Sequence, residues 1–124
     1  MTFRLVVVIG IFAFILGCTT RNEVRISKTP EHIPGISYSG GDGESFHEAI
    51  KINGARDKTT GVAAEYSYIS TKYGARGTGW FLVGQTVIRE KNKIVDVVEI
   101  QLGNNPSDRR IFYFDVSDFL GKKR

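Results

Sequence analysis

The apolar run from Leu5 to Leu16, broken only by Gly10, most limits what this 124-residue chain can fold into. It falls short of the roughly 18 residues that a bilayer-spanning helix needs. A short start carrying Arg4 precedes it and the small residue Gly17 comes directly after it. Charged start, short apolar segment and small residue are the three parts of a secretory signal peptide. Residues 1–17 are therefore expected to be removed, and the fold is expected in the remainder of the chain.

The end of the run, Ile15-Leu16-Gly17-Cys18, resembles the lipobox of bacterial lipoproteins. Two positions depart mildly from the usual pattern: Ile15 stands where Leu is commoner, and Leu16 is bulkier than usual. The resemblance implies a diacylglycerol on the Cys18 thiol, cleavage before Cys18 and a fatty-acyl chain, such as palmitate, on the new amine. One acyl chain holds a protein only marginally, at about 0.8 kcal/mol per buried methylene, so two or more are needed for stable anchoring. In such lipoproteins Asp directly after the cysteine favours the inner membrane. Here Thr19 implies the periplasmic side of the outer membrane in a Gram-negative envelope, or the plasma membrane in a Gram-positive one.

Cys18 is the sole cysteine, so a domain whose thiol carries lipid has no disulfide and no thiolate metal ligand. Its core must hold it together. Removing residues 1–17 takes away Arg4 and no acid, and the formal charge falls from +4 to +3. That mildly basic balance lacks the clustered Lys and Arg of a nucleic-acid surface.

Residues 18–39 are polar, carry Pro30, Pro34 and Gly35, show no periodicity, and read as a lipidated tether. Residues 40–124 read as one small α+β domain. Ser45-Phe46-His47-Glu48 has the spacing of a capping box, yet Asn53-Gly54 comes soon after, so one helical turn and a short strand at 49–52 are expected. Asp57 to Thr60 offers a cap for a helix from Val62 to Tyr73, with Val62, Tyr66, Ile69 and Tyr73 on one face and Gly74 as its stop. Trp80 to Arg89, Ile94 to Leu102 and Arg110 to Val116 are rich in β-branched and aromatic residues and read as strands. Ser117 to Gly121 reads as a closing helical turn. The order β-α-β-β-β predicts a small antiparallel sheet packed against one helix.

Strict alternation places Trp80, Leu82 and Ile88 on one sheet face and Phe81, Val83 and Val87 on the other. In the next strand it sets Ile94, Val98, Ile100 and Leu102 against Val95 and Val97. One helix covers one face. The second is expected to be covered by the N-terminal strand and the closing turn, or else to meet a partner.

Asp42, Glu44, His47 and Glu48 form the densest set of reactive side chains, but no paired histidines or His-Glu-x-x-His spacing makes them a metal site. Ser45 lies two residues from His47 without a nucleophile elbow. His32 stands alone in the tether. The glycine-rich 74–79 segment comes after a helix and opens a strand, the reverse of a phosphate-cradling loop, and reads as a flexible link. Trp80, Phe81, Phe112, Tyr113 and Phe114 read as core, with a carbohydrate-stacking platform as the alternative. No catalytic site and no cofactor are expected.

Beyond the lipobox, the segment from Gly41 to Gly121 resembles only small uncharacterised bacterial lipoprotein domains, a likeness that implies no activity. The expectation is a lipid-anchored envelope module, non-catalytic, binding or structural, with an envelope protein as partner and no nucleic acid. The alternative is a periplasmic inhibitor that blocks a lysozyme- or protease-type hydrolase with loop 74–79 or 103–108.

Overall fold

The computed structural model describes residues 32–121, so Cys18, the lipobox and most of the expected tether lie outside the described residues. Seven elements succeed one another: β1 (Ser37–Gly40), β2 (Ile50–Asn53), α1 (Lys58–Tyr73), β3 (Trp80–Glu90), β4 (Lys93–Leu102), β5 (Arg109–Asp115) and α2 (Ser117–Leu120). The α+β class is as expected from the sequence. The five strands form one sheet in the order β1-β2-β5-β4-β3.

Two points correct the expected topology. The sheet is mixed, because β2 runs parallel to β5 through Ile50↔Phe114 and Lys51↔Asp115. Ser37 to Ser39, expected in the tether, belong to β1, which pairs with β2 through Tyr38↔Ile52 and its neighbours. A four-residue strand of Ser, Tyr, Ser and Gly carries almost no apolar alternation, so its sequence gives no strand signal.

Helix α1 starts where its chemistry dictates. The Asp57 side chain accepts the Thr60 N–H at 2.8 Å, an N-cap that holds its carboxyl below the usual range. Gly74, at φ +88°, ends the helix and returns its N–H to the Ser70 carbonyl at 2.9 Å. The buried face is rotated from the expected one, to Gly61, Ala64, Glu65 and Ile69, with Val62, Tyr66 and Tyr73 on its flank. Gly61 has a reason to be Gly: a Cβ there would overlap the Phe119 ring. That close approach seats α2 against α1, on the helix side of the sheet.

Between helix and sheet lie Ile50, Ile52, Ile69, Trp80, Val98, Ile100, Phe112, Phe114 and Val116. Tyr68 joins them through edge-on contacts with Phe112 and Phe114 at 6.3 and 5.7 Å. Tyr38 stacks obliquely on Tyr68 at 5.1 Å and donates its hydroxyl to the Ala64 carbonyl at 2.6 Å. Short β1 is thereby pinned to the helix by one side chain.

The face assignment in β3 also needs correcting. Leu82 opposes Ile100, but the next pair is Gly84↔Glu99, so Val83 is an extra residue in a β-bulge. An extra residue reverses the phase of everything after it. Beyond the bulge, Gln85, Val87 and Arg89 share the helix face with Val98, Asp96 and Ile94, while Thr86 and Ile88 turn outward opposite Val97 and Val95. The assignments within β4 hold as expected.

Candidate functional site

Glu65 on α1 lies three residues after Val62 and four before Ile69, which places an acid within the buried stripe. Asp96 lies between Ile94 and Val98 on the helix face of β4. Both carboxyls are sealed, at 0 % and 3 % exposure. The bulge brings Gln85 to them. Its side-chain Nε2 donates to Glu65 Oε2 at 3.0 Å and to Asp96 Oδ2, and its Oε1 accepts the Tyr66 hydroxyl at 2.8 Å.

One amide cannot satisfy two carboxyls: Glu65 Oε1 and Asp96 Oδ1 have no hydrogen-bond partner. Burial first, and then the Asp96 charge beside it, pushes the Glu65 carboxyl up to about 9, against the opposing Gln85 bond. Glu65 therefore keeps its proton at neutral pH, and that O–H is the donor the cluster otherwise lacks. Burial also raises the Tyr66 hydroxyl, opposed by Arg76. The Arg76 guanidinium sits 4.7 Å from the Tyr66 ring centre and 5.9 Å from that of Trp80.

Directly over this cluster is the edge of the sheet, formed by eleven-residue β3. Its hairpin to β4 closes through two residues, Lys91 and Asn92, so Glu90↔Lys93 is a hydrogen-bonded pair. Alternating back along the strand, Ile88 and Thr86 bond to β4, whereas Arg89, Val87 and Gln85 turn their N–H and C=O to the open side. Before the bulge the open side is occupied once: Arg76 bridges beside Trp80, and the Gly77 N–H donates to the Trp80 carbonyl at 2.7 Å. From Gln85 to Arg89 no other described residue pairs with this edge.

Three apolar side chains are exposed along the edge, Val83 at 43 %, Val87 at 43 % and Ile88 at 36 %, among the exposed polar residues Gln85, Thr86, Arg89 and Glu90. On the outer sheet face Ile111 is exposed at 49 %, with half-buried Val97 and Tyr113 beside it. The closing turn does not cover this face, since α2 packs on the helix side, and β1 extends the sheet instead. Among the described residues only the loop after β1 reaches over one end of this face. Lys93 Nζ donates to the Phe46 carbonyl at 2.8 Å and lies 5.0 Å from the Phe46 ring centre. Val95, two residues along the same face, is fully buried.

The side chains singled out from the sequence serve local structure. Asp42 Oδ1 accepts the Glu44 N–H at 2.9 Å, and Ser45 Oγ accepts the Glu48 N–H at 3.2 Å, half of a capping box around a turn. His47 packs edge-on to Phe46 at 5.7 Å, and His32 is exposed. Among the described residues no three His, Cys, Asp or Glu side chains converge to hold a metal ion. Segment 74–79 is a closed turn, with the Gly79 and Thr78 N–H groups both donating to the Ala75 carbonyl. In the 103–108 turn, Asn105 Oδ1 accepts the Ser107 N–H at 3.1 Å. Of the five strand aromatics, Trp80, Phe112 and Phe114 are core, while Phe81 and Tyr113 are half-buried on the outer face.

Comparison with protein families, with curated proteins and with solved structures finds no match to this chain. No helix among the described residues is long and apolar enough to cross a membrane.

Proposed function

We propose that this chain is a lipid-anchored cell-envelope protein, held at Cys18 and facing the periplasm, which binds another envelope protein through its sheet and performs no catalysis. The observation that carries the binding reading is the open edge of β3 with Val83, Val87 and Ile88 exposed around it. Three of the five large apolar side chains exposed among the described residues lie on this one strand, with Tyr38 and Ile111 the other two. Long, exposed, apolar edges are normally blunted by charge, proline or a covering loop, because they invite another strand. One left open in a folded domain is a surface kept for contact.

The buried carboxyl pair supports a structural role for the domain's one strongly perturbed acid. Glu65 and Asp96 lie too deep for a substrate atom to touch, and they tie α1 to β3 and β4 through Gln85. The anchor rests on the lipobox resemblance and on the bilayer arithmetic of acyl chains.

Two measurements test the two halves separately. Cys18→Ala should leave the chain uncleaved and abolish incorporation of a palmitate analogue. Labelling that persists in the variant would remove the anchor. Photo-crosslinking in intact cells from Val83 and Ile111 should yield one discrete protein partner from at least one position. Diffuse or absent products at both would remove the binding reading.

A further inference from the structure

Resting on the reading of the sheet as a binding surface, we propose that the free edge of β3 takes an extended segment of a partner protein as a sixth strand, apolar at its centre and acidic at both ends. The backbone of Gln85, Val87 and Arg89 offers outward N–H and C=O groups in a regular row, and only another strand pairs such a row throughout. The bulge at Val83 and the bridge at Trp80 bound the row on one side, and the Lys91-Asn92 turn bounds it on the other.

Side chains then set the partner's composition. Val87 flanks the row on the helix side and Ile88 on the outer side, both exposed, so an added strand meets apolar neighbours on both of its faces at mid-length. Its ends meet cations. Arg76 lies beside Trp80 where the open row begins, and Arg89 and Lys91 lie where it finishes. Of the acids nearby, Glu65 and Asp96 are buried, Glu99 opposite Gly84 is paired with Arg109 at 3.7 Å, and Glu90 stands between the two cations. Acidic ends therefore complement this edge and basic ends are repelled.

The same charges disfavour a second copy of this chain as occupant. Antiparallel pairing of two β3 edges sets Arg76 of each copy toward Arg89 and Lys91 of the other. Parallel pairing sets each cation beside its twin. Both arrangements juxtapose like charge at each end of the new ladder, which destabilises cross-strand pairs.

The test uses the full chain in detergent micelles and a heptapeptide of alternating valine and threonine with aspartate at each end. Amide hydrogen exchange at Gln85, Val87 and Arg89 should slow by at least about tenfold on addition, with Thr86 and Ile88, already in the β4 ladder, unchanged. A peptide of the same core with lysine ends should bind at least about tenfold more weakly, and Val87→Pro, which removes one outward donor, should abolish protection where Val87→Thr keeps it. Equal binding of both peptides, or protection confined to the Ile111 face, would overturn the proposal. So would concentration-dependent protection without peptide, which would make a second copy the occupant. Crosslinks from Val83 or Ile111 that survive Val87→Pro in cells would refute the edge as the docking site while leaving the binding reading standing.

Discussion

The two edges of this sheet are built in opposite ways. At one, β1 is four residues long, carries Ser37, Ser39 and Gly40, and is fastened by the Tyr38 hydroxyl on the Ala64 carbonyl. At the other, β3 runs for eleven residues, leaves a row of backbone groups open and exposes Val87 and Ile88. Shortness already protects β1 from unwanted pairing. What supports β3 is not cover but an underpinning: Gln85 reaches inward to Glu65 and Asp96 while its backbone faces out. The edge is thus tied to the helix by a polar cluster beneath it, while no described residue pairs with its outer side from Gln85 to Arg89.

The largest expected effect is on that underpinning. A carboxyl whose folded value is raised binds its proton more tightly in the folded state. The unfolded chain then loses the proton first as pH rises, and stability falls with pH. For Glu65 the window runs from about 4.5, its ordinary value, to about 9. Within it the loss approaches about 1.4 kcal/mol per pH unit, on the idealised basis of a single proton. Chemical denaturation of the wild type should show that slope, and Glu65→Gln, which keeps a donor and an acceptor without an ionisable proton, should flatten it. An unchanged slope in the variant would detach the cluster from the stability of the β3 side.

A smaller difference should separate two neighbours on β3. Ile88→Pro removes a donor to the β4 ladder and leaves a carbonyl unpaired, a cost of about 1–3 kcal/mol. Val87→Pro removes an outward donor and should cost distinctly less, as proline is tolerated on the free side of an edge strand. Equal losses in midpoint denaturant would show that the pairing pattern around the hairpin is not the one described. At the opposite edge, Tyr38→Phe removes the hydroxyl that bonds Ala64 and Ser67 and should cost at least about 0.5–1.5 kcal/mol, with protection lost first at the β1 amides. Loss spread evenly over the sheet would mean that β1 is not independently pinned.

Much of the fold was legible along the chain. Asp57 and Gly74 mark the ends of α1 through chemistry contained within a turn of the helix, and the three long strands announce themselves by β-branched and aromatic content. Strand β1 was not legible, since Ser37-Tyr38-Ser39-Gly40 is a strand only because β2 and α1 are there to receive it. The site was partly legible. Asp96 stands between Ile94 and Val98 on the face that alternation gives β4, whereas Glu65 comes inward only because the buried face of α1 is rotated from the expected one. That they meet was not visible, and neither was the part of Gln85, because alternation counted from Trp80 assigns it to the wrong side.

That single inserted residue separates what the sequence determined from what the tertiary structure decided. Periodicity, caps and turn residues act over a few positions, so the sequence by itself determined the order and kind of the elements after β1, and through Ile15 to Cys18 a resemblance to an anchored class of protein. The bulge at Val83, the parallel pairing of β2 with β5 and the meeting of Glu65 with Asp96 depend on contacts between residues far apart in the chain. Only the packed structure fixes these, because a strand's phase and neighbours depend on which surfaces must be buried together.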